Sequence, residues 1–318
     1  MPMALPGETR EHHRTRNPSL ARMGTAGLAV LSLLLGSCSG GDSVSRQPLC
    51  GPSGTLRVGL IDPREGLSAS TQLPFADQEI EGLRTLLMEA SQCEVQLEPL
   101  SSTDRARDKL EAHQWDAAFL PPGLTAFALR QAAGYSPLRV LGGRHTSRSS
   151  ILVLASSRFQ SLADLNGARV GLLPRGSLTG FYLPLYNMHG LSLGQVTFAL
   201  DFPALQTMLN EGQVDAIAWD DSLPPPSVPV RSLASDTHKI PLGALVLSGS
   251  LADADYLPFL KNLDASSAQM PATIGYAATM MPNQRELQPL KAIVESVESW
   301  DMPLDGQPHR VFGKKVGE

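Results

Sequence analysis

The sequence has little of three things: aromatic side chains, cysteine and excess positive charge. Of its 318 residues, 5% are aromatic, three are cysteines, and the formal net charge is −5. A protein that binds nucleic acid needs a basic face for the phosphates, and this balance does not supply one. With 42% hydrophobic and 18% charged residues, the composition is that of an ordinary globular protein, and we expect no nucleic-acid partner.

Catalytic and metal-binding patterns are also missing. The seven histidines are scattered along the chain without metal-ligand spacing, and no HExxH, GxSxG or Walker phosphate-loop motif occurs. The cysteines lack the CxxC spacing of a redox site. We therefore predict a protein that is not an enzyme and that holds no metal or cofactor, although a missing motif does not by itself exclude catalysis.

The most apolar stretch of the chain lies near the N-terminus. Residues 26–35 form a segment of about ten residues, too short for a bilayer span of about 20. Small residues follow the segment, and four arginines precede it: Arg10, Arg14, Arg16 and Arg22. This arrangement is typical of a secretory signal peptide, which we place at 1–37. The alternative is a buried helix of the fold.

The residues that end this segment, 35–38, read Leu-Gly-Ser-Cys and resemble the bacterial lipobox. In a lipobox the peptidase cuts before the cysteine, and the thiol carries a diacylglycerol. The resemblance implies a lipid anchor on Cys38 that holds the protein at the membrane, on the periplasmic or cell-surface side. Residues 38–54 are rich in Ser, Gly and Pro without periodicity, and we predict a flexible tether there.

The other two cysteines, Cys50 and Cys93, are an even number in an oxidising compartment. Each comes just before a predicted strand, at 56–61 and at 95–97. If these strands are neighbours in a parallel sheet, both cysteines lie at the same edge. We predict a disulfide, with two buried free thiols as the alternative.

From residue 55 the chain alternates between strand and helix patterns. Short β-branched and apolar runs bounded by Gly or Pro are followed by segments with apolar residues at helical spacing. The alternation falls into two similar blocks, near 55–146 and 150–240, and an amphipathic helix covers 283–300. This order predicts α/β structure with parallel strands covered on both faces.

One stretch in the second block predicts an anion site. A strand at 168–173 runs into the tight loop Pro174-Arg175-Gly176, and a helix then opens at Ser177. A helix N-terminus offers unpaired backbone N–H groups, Ser177 and Thr179 add hydroxyls, and glycine lets a ligand approach the backbone. Together these groups would form an oxyanion cradle without a basic side chain. The alternative is an ordinary serine-capped helix.

Four motifs in order resemble the phosphate-, phosphite- and phosphonate-binding proteins of ABC importers. They are SLADLNGARVGLL with GSLTGFYLP (161–184), NEGQVDAIAWD (210–220), QWDAAFLPPGLTAFAL (114–129) and SSILVLASS (149–157). The likeness covers roughly residues 55–298. It implies a two-lobed periplasmic-binding-protein fold, with each lobe a mainly parallel sheet flanked by helices.

The resemblance also implies an organisation and a role for the chain. The first lobe would comprise 55–147 and 243–300, the second lobe 148–242, and residues 301–318 a C-terminal tail. The protein would be a monomer that captures a small oxyanion (phosphate, phosphite or phosphonate) between its lobes and delivers it to an ABC permease. A sensor subunit for a signalling kinase and a bilobed enzyme are the alternatives.

Eight residues carry the implied ligand site. In the second lobe they belong to the helix start and to the end of the strand in the NEGQVDAIAWD motif: Gly176, Ser177, Thr179, Gly180 and Asp220. In the first lobe they lie where a strand ends and a helix begins: Pro122, Gly123 and Thr125. A carboxylate only accepts hydrogen bonds, so Asp220 would tolerate a protonated oxyanion and repel sulfate.

The chain departs from the family pattern at three places. It has Asp201-Phe202 where the family often carries Ser-His, and Ser147 where a tyrosine is common. Arg175 in the loop before the cradle is also unusual. These departures leave the identity of the oxyanion open.

Overall fold

Five segments of the chain are described by the structure, which is a computed structural model. They are residues 49–50, 53–64, 74–142, 148–251 and 254–312. The predicted signal peptide at 1–37, the predicted lipidation site Cys38 and Ser147 lie outside these residues. Among the described residues, no helix has both the length and the apolar character needed to cross a bilayer.

Strands and helices alternate through most of the described chain. The strands are β1 (Thr55–Leu60), β2 (Glu94–Pro99), β3 (Ala117–Leu120), β4 (Tyr135–Val140), β5 (Ser149–Leu154), β6 (Arg169–Leu172), β7 (Ser192–Phe198), β8 (Ala216–Asp220), β9 (Val230–Ser235), β10 (Ala244–Ser248) and β11 (Gln307–Arg310). The helices are α1 (Asp77–Ser91), α2 (Thr103–Glu111), α3 (Pro122–Ala128), α4 (Leu183–Asn187), α5 (Phe202–Asn210), α6 (Leu257–Ala265) and α7 (Gln284–Glu298). Short 3₁₀ turns occur at Leu162–Leu165, Gly249–Leu251 and Ser267–Gln269, and a π-helical turn at Leu178–Tyr182 precedes α4.

Local sequence explains where these helices begin and end. Helix α1 starts where the Glu79 side chain accepts the backbone N–H of Ala76, at 2.8 Å, which satisfies one of the orphan donors of a helix start. Its buried residues recur at helical spacing, at Leu83, Leu86 and Leu87. The helix ends at Gln92, whose backbone is left-handed with φ 57°. Helix α5 starts where the Asp201 side chain accepts the N–H of Ala204, at 2.8 Å.

The strands form two mixed sheets. The first sheet has the order β2-β1-β3-β10-β4, and the second has the order β11-β7-β6-β8-β5-β9. In each sheet a parallel centre is extended by antiparallel strands: β10 runs against β3 and β4, β5 against β8 and β9, and β11 against β7. The sheets are therefore more mixed than the predicted mainly parallel ones.

The antiparallel strands arise because the chain crosses three times between the sheets, the third time between α7 and β11. The first crossing joins β4 to β5, and the second joins β9 to β10. We call the first sheet with α1, α2, α3 and α6 the first lobe, and the second sheet with α4 and α5 the second lobe. The lobe boundaries drawn from the sequence stay predictions, but the first two crossings fall at them. Strand β11 lies inside the predicted C-terminal tail and pairs with β7 of the second lobe.

One apolar core lies between the two sheets. It is built from the inner face of the first sheet, the inner face of the second sheet and the buried sides of α3, α4 and α7: among others Ala118, Leu120, Val246, Phe127, Ile151, Val170, Leu172, Leu185, Leu290 and Val294. The outer face of the first sheet is covered by α1 and α6, and that of the second by α5. Helix α7, which the sequence prediction assigns to the first lobe, contacts both α3 and α4 and so touches both lobes.

The two cysteines beside the first sheet form a disulfide. Cys50 and Cys93 have Cα atoms 5.7 Å apart, and their sulfur atoms are bonded. The bond lies at the edge where β1 and β2 begin, since Thr55 pairs with Glu94 in this parallel pair. It therefore ties the start of the described chain to the edge strand of the first lobe.

We expect the Cys50→Ala/Cys93→Ala variant to lose stability. The disulfide closes a loop with a sequence separation of 43 residues, and chain entropy then gives a loss of about 4 kcal/mol in the free energy of unfolding. Denaturant unfolding of the full-length oxidised protein and of the double variant measures the difference. A loss below about 1 kcal/mol would show that the reduced unfolded chain is already constrained here.

Candidate functional site

The predicted cradle of the second lobe lies at the carboxyl end of β6. The chain turns at Gly176, whose φ of 106° is one that residues with a side chain rarely adopt. Ser177 then caps the π-helical turn, because its Oγ accepts the backbone N–H of Gly180 at 2.9 Å. The Leu173 N–H donates to the Gly180 carbonyl, also at 2.9 Å. These bonds hold the turn tightly against the strand that leads into it.

A second pair of predicted residues meets beside this turn. The Thr179 hydroxyl donates to Asp220 Oδ2 at 3.2 Å, and the hydroxyl of Ser149 donates to the Thr179 carbonyl at 2.9 Å. Ser149 and Asp220 are directly opposite each other on β5 and β8. The first crossing between the lobes, from β4 to β5, therefore ends next to the Thr179–Asp220 pair.

The predicted residues of the first lobe lie at the start of α3, directly after β3. Pro122 occupies the first turn, where a missing N–H has no consequence for the helix. The Thr125 hydroxyl donates to the Leu120 carbonyl at 3.3 Å and accepts the N–H of Ala244 at 3.1 Å. Thr125 therefore joins the start of α3 to β3 and β10.

The two predicted halves of the site contact each other directly. A Cβ added at Gly123 would lie 2.2 Å from the carbonyl oxygen of Gly176 and 2.6 Å from the nitrogen of Leu178. The Thr103 hydroxyl at the start of α2 donates to the Arg175 carbonyl at 2.9 Å. We call this contact, between residues 103–130 of the first lobe and 174–182 of the second, the seam. The seam contains seven of the eight predicted ligand residues, and Asp220 borders it through its hydrogen bond with Thr179.

The side chains of the predicted site are buried and already have partners within the chain. Ser177 is 2% exposed, Thr125 and Thr179 are 0% exposed, and Asp220 is 8% exposed. The space beside Gly180, which we had expected to admit a ligand, is filled by Leu173, since an added Cβ would lie 2.5 Å from its Cγ. A ligand could reach these groups only if the seam opened.

Glu298, at the last position of α7, is a site residue that the sequence did not point to. Its carboxylate accepts the Tyr182 hydroxyl at 2.7 Å and Arg175 Nε at 2.9 Å, and Arg175 also pairs with it through Nη2. Burial alone would raise the pKa of Glu298, but these hydrogen bonds and the charges of Arg175 and Arg107 outweigh burial and lower the pKa. Glu298 is thus a buried anion at the seam.

A pocket of about 420 Å³ lies beside the first two crossings. It combines the basic side chains Arg148 and Lys239 with the acidic side chains Asp221 and Glu286, next to exposed Met280 and Met281 among other apolar residues. Burial, together with the charge of Asp220, raises the pKa of Asp221. The volume is within the range of small-molecule sites. The residues of this pocket come from four separate segments of the chain, so no local sequence motif predicts it.

Where the structure describes the positions that depart from the family pattern, their side chains make contacts within the chain. Asp201 caps α5, and Phe202 is 0% exposed with its ring 5.5 Å from that of Trp219. Neither side chain belongs to the seam. Within the described segments, no three His, Cys, Asp or Glu side chains converge in a way that could hold a metal ion.

Comparison with known proteins gives one family match. Residues 76–223 match the model of the periplasmic substrate-binding protein of phosphonate ABC transporters. The matched segment includes β2 to β8, and so both halves of the seam. No curated protein gives a sequence match.

Three solved structures share the fold. XAC2383 of Xanthomonas citri, with bound chloride, has a TM-score of 0.58 at 16% identity, covering 76% of this chain and 98% of that one. A binding protein of an ABC phosphonate transporter, PA3383 of Pseudomonas aeruginosa, has a TM-score of 0.54 at 13% identity and coverages of 75% and 85%. PhnD1 of Prochlorococcus marinus, with methylphosphonate, has a TM-score of 0.50 at 16% identity and coverages of 77% and 98%. The predicted two-lobed fold is confirmed.

We expect Gly123→Ala to force the seam apart. The added methyl group meets two backbone atoms that cannot move independently, so the lobes must separate or the fold must lose stability. Hydrogen exchange of residues 174–182 in the full-length protein, followed by mass spectrometry, should become faster.

Gly82→Ala is the matched control. Gly82 lies in α1 with nothing within 4 Å of an added Cβ, so alanine there should stabilise the helix by up to about 1 kcal/mol. Equal exchange at residues 174–182 in wild type and Gly123→Ala would show that the seam tolerates the methyl group.

Proposed function

We propose a ligand class for this chain, whose residues 76–223 belong to the periplasmic substrate-binding family of phosphonate ABC transporters. The ligand is a small oxyanion (phosphate, phosphite or phosphonate) that is captured between the two lobes at the seam. The family consists of transporter binding proteins and not of enzymes, and it functions outside the cytoplasm. After capture, the protein delivers this ligand to an ABC permease.

One observation carries this proposal: the contact between the start of α3 and the cradle at 176–180. The two segments come from different lobes, and both follow directly on a strand, β3 or β6. In α/β sheets, ligands bind outside the carboxyl ends of the strands, where helix starts present backbone N–H groups. Gly123 and Gly176 bring these two ends within direct contact, so a small ligand that enters when the seam opens partway would touch both lobes at once.

Capture requires the lobes to move apart and then close. Three crossings join the sheets: β4 to β5, β9 to β10, and α7 to β11. A rotation about these crossings separates 122–125 from 176–180 and leaves each sheet intact. A ligand that contacts both segments binds the closed arrangement better than the open one, and so it shifts the equilibrium toward closure.

The Thr179–Asp220 pair gives this site a preference for protonated ligands. In the structure the Thr179 hydroxyl gives its hydrogen to Asp220. If Thr179 turned to donate to a ligand, Asp220 Oδ2 would lose this hydrogen bond while Oδ1 kept the N–H of Ser222 at 2.8 Å, and a carboxylate can only accept a replacement. A hydrogen phosphonate or hydrogen phosphate carries a P–OH that can supply this bond, whereas sulfate at neutral pH has none and is repelled.

The setting proposed for this function is the outer side of the membrane. Lipid on Cys38, outside the described residues, would keep a monomeric domain close to its permease. A lipid anchor confines the protein to the surface on which the permease opens. The ligand is then captured and delivered close to that permease.

A thermal-shift series on the full-length protein tests the ligand. Phosphate, phosphite, methylphosphonate and 2-aminoethylphosphonate are compared with sulfate. A ligand at 100 times its dissociation constant adds about 2.7 kcal/mol to the free energy of unfolding, which raises Tm by several degrees. We expect Ser177→Ala to abolish this rise, because it removes both the hydroxyl and the cap of the cradle.

Ser157→Ala is the control for a lost serine hydroxyl in the second lobe. Ser157 accepts the backbone N–H of Phe159 at 3.3 Å, away from the seam. This variant should retain the full ligand-induced rise in Tm. A rise that also survives in Ser177→Ala would place the ligand elsewhere, and equal rises with sulfate and phosphate would rule out the proton-based preference.

A further inference from the structure

The seam also contains a cluster of charged side chains that the proposed ligand site does not use. Its centre is Glu298, whose side chain is 4% exposed. The second lobe supplies it with Arg175 and the Tyr182 hydroxyl. These two residues flank the cradle on either side, so Glu298 binds the cradle segment at both of its ends.

The first lobe faces the same carboxylate with two further arginines. Arg107 Nε lies 3.4 Å and Arg130 Nη1 lies 4.0 Å from Glu298 Oε2, and their side chains are 9% and 10% exposed. Both guanidinium groups pack against the ring of Phe127, with Arg130 Cζ 3.8 Å from its centroid. Among the described residues, Arg107 Nε and Arg130 Nη2 have no hydrogen-bond partner. Their charge is offset by Glu298 together with Asp108 and Glu111 of the first lobe.

The position of Glu298 is not explained by the helix that carries it. The C-terminal end of a helix has a partial negative charge and disfavours a carboxylate. Burial raises the pKa of Glu298, but hydrogen bonds from Arg175 and Tyr182 and the charges of Arg175 and Arg107 outweigh burial and lower it. Without the carboxylate, Asp108 and Glu111 would still offset Arg107 and Arg130, but the charge that joins these guanidinium groups to Arg175 of the second lobe would be lost.

We propose that Glu298 is a latch: a positioning residue that holds the cradle segment of the second lobe against the first lobe. The inference rests on the proposed function only in that the lobes must separate to admit a ligand. Because the carboxylate lies on α7, which contacts both lobes, the latch acts from a third element and not from either ligand-binding surface. It sets how readily the seam opens before any ligand is present.

The chain contains a matched control for this latch. Within the first lobe, Asp264 accepts Arg139 Nη2 at 2.8 Å and the Tyr276 hydroxyl at 2.8 Å. The side chains of Arg139 and Asp264 are 13% and 14% exposed. This triad has the same chemistry as Arg175, Glu298 and Tyr182, but it does not cross between the lobes.

The test is hydrogen exchange of the full-length protein without any oxyanion, in Tyr182→Phe and Tyr276→Phe. Each variant removes one hydroxyl that donates to a buried carboxylate. Tyr182→Phe should speed exchange in α2 and in residues 174–182 about tenfold, the effect of losing a hydrogen bond to a charged group, while β1 and β2 stay unchanged. Tyr276→Phe should leave the seam unchanged and affect only α6 and its surroundings.

Glu298→Gln should open the seam further, because it also removes the carboxylate that pairs with Arg175 of the second lobe and with Arg107 and Arg130 of the first. If that variant does not fold, Tyr182→Phe alone tests the latch, because it leaves the ion pairs in place. Equal effects of the two tyrosine variants on the seam, or no effect of Tyr182→Phe there, would overturn the latch. Since no ligand is used, this result is independent of the thermal-shift series: either proposal can fail while the other stands.

Discussion

The two sheets share one apolar core, and the rest of the molecule has to accommodate that constraint. Their inner faces, with α3, α4 and α7, bury residues such as Phe127, Leu172 and Val294 completely. Separating the lobes exposes part of this surface at about 25 cal/mol per Å². The backbones at Gly123 and Gly176 also lie too close for any side chain between them. Closure is therefore favoured by the chain itself, and any ligand adds to an existing preference.

Because the seam is buried, its charged side chains are paired with one another. Arg175 was the one basic side chain that the sequence placed next to the cradle, and it is engaged by Glu298. Arg107 and Arg130 face the same carboxylate. With these cations committed to Glu298, an oxyanion at the cradle would be held by backbone N–H groups and hydroxyls, as the sequence predicted. The latch and the cradle thus have different roles. The fixed charges around Glu298 hold the lobes together, and the neutral donors of the cradle face the ligand.

Much of this arrangement could be predicted because it depends on local patterns. Alternating strand and helix signals gave the α/β order, and parallel strand ends meet at one edge, which places Cys50 near Cys93. Residues 122–125 and 176–180 lie on different sheets, and their proximity was predicted only through the family resemblance. What could not be predicted lacks a local signal. Strand β11, with the sequence Gln-Pro-His-Arg, is a strand only because it pairs with β7. Glu298 meets Arg175 across 123 positions of sequence, and nothing in the amphipathic pattern of α7 distinguishes it from an exposed glutamate.

The departure at Asp201-Phe202 bears on how a ligand would be selected. Phe202 packs against Trp219 and Asp201 caps α5, so this position, where related proteins often carry Ser-His, supplies no donor to the seam. On the proposed function, the second lobe then contacts its ligand through the cradle and Asp220 alone. Because the Thr179 hydroxyl donates to Asp220 Oδ2, a ligand that takes Thr179 as its donor removes that hydrogen bond, and a P–OH of the ligand can replace it. The protonation state of the oxyanion then contributes to its selection.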